Sequence, residues 1–138
     1  MQQGRTARYV EIISSRTQPH LGEAFLRAVE NRPLDDSQQA AVMAHIDAYF
    51  WHFEDCFLQF EAGTIDQASW NSDKATLTFL IGMPMFRAEW KGVRALSNGA
   101  YRDYVDALMR ETPVTTQNDF RDLFNAQLAE EFTGRQAS

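Results

Sequence analysis

A chain of 138 residues, 44% hydrophobic and 12% aromatic, has the size of one domain and enough apolar mass for one core. Its net charge of −6 sets it apart from nucleic-acid binders, which carry a basic stripe. A single cysteine excludes an internal disulfide and fits a reducing compartment, and no run of roughly 18 apolar residues offers direct membrane insertion.

The periodicity is helical from end to end. "TARYVEIISSR" reads as a short amphipathic helix ending near Pro19. "PHLGEAFLRAVENR" follows, with Pro19 in the first turn and Leu21, Phe25 and Val29 on one face. Asp35, Asp36 or Ser37 can cap the next helix, a long one over about 37–61, with Gly63 at its C-cap. Asp66 can cap "QASWNSDKATLTFLI", which Gly82 and Pro84 close. Pro84 opens "MFRAEWKGVRAL", and Asn98 can cap "GAYRDYVDALMR". "ETPVTTQ" is a linker, and "NDFRDLFNAQLAEEF" is a last amphipathic helix. No period-two alternation bounded by hairpin turns occurs. The expected fold is all-α: six to seven helices bundled around the long central one. The expected organisation is a bundle over 1–111, a linker over 112–117, and a C-terminal helix over 118–133 that packs on the bundle or on a second copy.

Charge is uneven along the chain. Residues 35–73 hold eight acidic groups and no Lys or Arg, while 1–34 hold five Arg against three Glu and 74–110 hold six basic groups against three acidic ones. The acidic helix should therefore pack beside basic neighbours. The alternative is an acidic face for a basic partner or a cation. Arg87, Lys91 and Arg94 share a turn-spaced face and could meet the acidic helix, a phosphate or an acidic partner. Arg102 and Asp106 are spaced to pair.

The stretch "HIDAYFWHFEDCFLQFE" (45–61) concentrates the reactive residue types. On a helical wheel, Val42, Ile46, Tyr49, Phe53, Cys56 and Phe60 form one core seam, spanning about 60° either side of Tyr49. His45 and His52 flank it on the same side. Trp51 and Leu58 point almost opposite, so this helix should be covered on two sides. For a metal, His45 and His52 stand seven residues apart, about 10 Å along the axis, which is too far for one ion unaided. His52 with Asp55 or Cys56 has usable spacing, yet a di-iron bundle would need Glu-x-x-His on a second helix, and the only other histidine is His20. His45, His52 and Asp55 are thus the weak metal candidates, and no cofactor is expected. Cys56 could touch His52 as a thiol nucleophile, but it belongs to the apolar seam, where thiols are inert. His52 reads as a flank histidine bonded to a carboxylate or water. Trp70 and Trp90 read as core anchors. No phosphate-loop, dinucleotide or nucleophile-elbow motif is present.

Gly63, Ile65, Asp66 and Trp70, then Pro84, Arg87 and Trp90, then Tyr101, Arg102, Val105 and Asp106 form a pattern over roughly residues 7–110. It resembles a bacterial all-helical domain family of unknown function, often found behind a single N-terminal transmembrane helix. The resemblance implies a cytoplasmic domain, at the inner face of the bacterial inner membrane in anchored relatives, and no enzyme activity. This chain shows no such membrane segment, and its tail beyond 111 lies outside the pattern. The functional expectation is a non-enzymatic interaction domain whose partner is a protein, or itself, and not a nucleic acid. Phe120, Leu123, Phe124 and Leu128, with Phe132, need a groove and are the partner-binding candidates. A ligand- or metal-binding bundle with a site near His52, or a small-molecule sensor with an apolar pocket, are the alternatives.

Overall fold

The computed structural model describes the backbone of residues 2–115 and 120–137 and the side chains of 4–115 and 122–134. Among the described residues there are seven α-helices and no strand: α1 (Gln2–Ser14), α2 (Pro19–Val29), α3 (Asp36–Glu61), α4 (Gln67–Ile81), α5 (Pro84–Val93), α6 (Gly99–Glu111) and α7 (Phe120–Ala137). No helix among them is long and apolar enough to cross a membrane.

The boundaries follow local chemistry. Asp35 caps α3 by accepting from the Gln38 amide while the Gln38 side chain accepts from the Asp35 amide, a complete capping box. Asp66 accepts from Ser69 at the start of α4, and Asn98 from Ala100 and Tyr101 at the start of α6. Pro19 and Pro84 sit in the first turns of α2 and α5, where no amide is missed. Gly63, at φ 78°, provides the left-handed residue that ends α3.

α3 is the axis, touching α1, α2, α4, α5 and α6. Its seam residues Val42, Ile46, Tyr49, Phe53 and Cys56 are buried, as are Trp70 of α4, Phe86 and Trp90 of α5, and Tyr101 and Val105 of α6. Polar anchors fix the α5–α6 side. Trp90 Nε1–H donates to Asp106 at 2.8 Å, Arg94 pairs with the same carboxylate, and the Tyr101 hydroxyl donates to the Phe50 carbonyl at 2.9 Å. Arg87 donates to the carbonyls of Ile81, Met109 and Thr112, closing the ends of α4 and α6. The residues after α6 bend back: the Thr115 amide donates to the Gly82 carbonyl, and a Cβ on Gly82 would lie 2.6 Å from Thr115 Oγ1.

Three expectations are corrected. Asp106 takes Trp90 and Arg94, not Arg102, because Trp90 on α5 and Arg94 in the turn just after it both reach its carboxylate. Arg87 and Arg94 serve α4 and α6 rather than the acidic helix, whose Asp55 is met by Arg8 of α1. α3 is not covered on two sides: Trp51 is 61% exposed and Leu58 39%. Bundles cover a central helix only where a neighbour lies, and none lies there among the described residues.

Every described side chain of α7, 122–134, is exposed, including Leu123, Phe124, Leu128 and Phe132. The Phe120 side chain, linker residues 116 and 117, and helix residues 118 and 119 lie outside the described residues.

Candidate functional site

His45, His52 and Asp55 of α3 lie on its α1 side, with Cys56 beside His52. Both histidines are buried, His45 at 6% exposed and His52 at 3%, and Cys56 is fully enclosed. α1 reaches them with arginines. Arg8 Nε–H donates to His52 Nδ1 at 2.8 Å, and its Nη2 donates to Asp55 at 2.7 Å. Gln59 donates to the same Asp55 oxygen at 2.6 Å. Arg5 donates to both oxygens of Asp73, on α4.

This geometry assigns protons. Arg8 fills the lone pair of His52 Nδ1, so the ring proton sits on Nε2 and faces Cys56 Sγ at 3.6 Å. The Asp73 carboxylate lies near enough to the Cys56 thiol to act on it electrostatically. One chain of contacts runs Asp55, Arg8, His52, Cys56 between α1 and α3, and a second joins Arg5 of α1 to Asp73 of α4. Burial, reinforced by Arg8 and Arg5, lowers His52 to about 4, so the ring is neutral at pH 7. Burial, with the Asp73 carboxylate, raises Cys56 to about 12, which leaves a protonated thiol rather than a nucleophile. Burial also raises Asp73, against the pull of Arg5.

The structure brings His52 and Asp55 to the same arginine and sets His45 apart. His45 faces Ser15, with Nδ1 3.3 Å from Oγ, and packs edge-on against Phe25 and Tyr49. Burial, helped by Arg16, lowers it to about 4. No group of three His, Cys, Asp or Glu among the described residues is placed to hold a metal ion. A guanidinium on His52 also opposes a cation there.

His52 is therefore bonded to Arg8 and Cys56 rather than to a carboxylate or water. Arg5, Arg8 and Asp73 escaped sequence reading. The one available signal is that Arg5 and Arg8 are three apart, on the face of α1 that also carries Tyr9 and Ile12. Two grooves border this network. One, of about 450 Å³, lies between α1 and α4 and is lined by Arg5, Tyr9, His52, Ser72 and Asp73. The other, of about 580 Å³, lies between α1 and α3. Family models, curated proteins and solved structures offer no match to this chain.

Proposed function

We propose that this chain is a helical protein-interaction domain whose docking element is α7 and whose partner is a second copy of the same chain. The observation that supports this reading is the exposed face of α7. Most helices in proteins draw their stability from packing an apolar face, and a helix carrying Leu123, Phe124, Leu128 and Phe132 outward calls for a cover. Phe124, Leu128 and Phe132 recur every fourth residue, which gives a single stripe.

The same chain offers a second uncovered stripe. Ala44, Trp51 and Leu58 recur every seventh residue along the outer face of α3, about 21 Å from end to end. Reciprocal docking of each α7 on the other copy's α3 covers both stripes at once and closes with two-fold symmetry. The exposed apolar area involved is roughly 600–700 Å² per copy, close to the roughly 800 Å² that each partner contributes to a standard interface.

Sedimentation of the full chain tests this. A dimer is expected, and both Phe124→Asp with Leu128→Asp on α7 and Trp51→Asp on α3 should convert it to monomer. All three positions are exposed, so the bundle tolerates them. A monomer at high micromolar concentration overturns the reading. A dimer insensitive to Trp51→Asp overturns the α3 surface as the receiving site.

A further inference from the structure

Another groove, of about 460 Å³, lies further along the seam of α1 and α4, near the C-terminal ends of both helices. Its walls are apolar: Ile13 of α1, Phe25 of α2, Ala75, Phe79 and Leu80 of α4, and Met83. Ile13 and Phe79 keep part of their apolar surface in solvent. Apolar walls alone name no ligand. Arg16 gives this groove a chemistry.

Arg16 sits in the short 3-10 turn Ser15–Thr17 that joins α1 to α2, and it lines the groove. Its guanidinium is held in place. Nη2 donates to the Tyr49 hydroxyl at 3.1 Å, and the guanidinium carbon lies 4.6 Å from the centre of the Phe25 ring. Tyr49 and Phe25 both line the groove, so the charged head faces it and not only the stem. Nε and Nη1 make no hydrogen bond among the described residues, and neither is closed to solvent. No carboxylate pairs with Arg16 among the described residues. Asp73, whose charge acts on Tyr9 at the groove wall, is taken through both oxygens by Arg5. A charge drawn partly out of water is normally paired. A positioned guanidinium with spare donors matches the two oxygens of a carboxylate.

We infer that this groove binds a small amphipathic monocarboxylate, with its carboxylate on Arg16 and an apolar body of about eight carbons along Ile13, Phe79 and Met83. Straight-chain and aryl acids share this chemistry. The inference does not depend on self-association, since none of Ala44, Trp51 and Leu58 lines this groove.

Octanoate, phenylacetate and octanol are the probes. Octanoate and octanol match in length and differ in charge. Titration of the full chain at neutral pH, followed by amide chemical shifts of α1 and α4, should show at least one acid binding about 10-fold more tightly than octanol, as expected for a hydrogen bond between charged groups. The tighter of the two acids tells a straight-chain ligand from an aryl one. Arg16→Met keeps the apolar stem and removes the charge. It should cancel the preference while octanol still binds. Ala75 is exposed, so Ala75→Leu leaves the bundle intact; it should fill the groove and weaken all three probes. No preference for either acid over octanol, a preference that survives Arg16→Met, or acid binding untouched by Ala75→Leu overturns the inference.

Discussion

The two sides of α3 are built on opposite principles. Toward α5 and α6 the contact is aromatic. Phe50, Phe86, Trp90 and Tyr101 are all nearly or fully buried, and short bonds such as Trp90 to Asp106 anchor the polar atoms among them. Toward α1 the contact is polar. α1 has no fully buried side chain among its described residues, only Tyr9 and Ile12 pack partly on the core, and its long bonds come from Arg5, Arg8 and the neighbouring Ser15 and Arg16. Both grooves at the candidate site lie along α1. One side of the central helix supplies stability. The other supplies the two grooves of the candidate site and both buried histidines, at the expense of tight packing. Local opening should therefore start at α1.

The largest expected effect breaks the aromatic side. Trp90→Ala removes contacts with Phe50 and Tyr101 and leaves Asp106 without its indole donor. It should cost about 3–5 kcal/mol in urea unfolding, against no more than about 2 kcal/mol for Tyr9→Ala on α1. Equal costs would erase the contrast.

An intermediate effect comes from pH, and it has opposite signs on the two sides. His45 and His52 fall from 6.5 unfolded to about 4 folded. The unfolded chain then binds more protons between those values, so their stability contribution is complete above pH 6.5 and is lost as pH falls toward 4. Glu89, on the α5 side, is raised from 4.5 to about 8, first by burial and then by the neighbouring Asp47 carboxyl. Its contribution is complete below pH 4.5 and is lost as pH rises through about 8. Glu89→Gln should flatten the alkaline limb of a melting-temperature profile and leave the acid limb intact. A change in the acid limb instead would refute the assignment.

The smallest effect on stability should carry the sharpest local signal. The Arg8–Asp55 pair is about 40% exposed on both sides, so Arg8→Met should cost under about 1 kcal/mol. Cys56, fully enclosed beneath it, should nonetheless react several-fold faster with a thiol reagent. Unchanged labelling would mean that α1 does not gate this side.

Much of the fold was legible because helix ends are local. Asp35, Asp66, Asn98, Gly63, Pro19 and Pro84 act within a few residues, and all sit at the helix termini their chemistry demands. The burial of Cys56 and Trp90 followed from period alone. The site was less legible because its bonds span the chain. Arg8 meets His52 across 44 residues and Arg5 meets Asp73 across 68, and no local pattern announces either. Trp51 misled for another reason. An apolar residue at the right angle reads as buried whether or not a neighbour exists to bury it.

That exposed tryptophan has a practical consequence. Of the three indoles, Trp70 and Trp90 are enclosed at 4% and 1%, and Trp51 alone stands largely in water at 61%. Collisional quenchers such as iodide will silence Trp51 and spare the other two. Anything that settles on the outer face of α3 will shield it. The native chain therefore carries a label-free optical gauge of occupancy at this surface, readable in an ordinary fluorimeter.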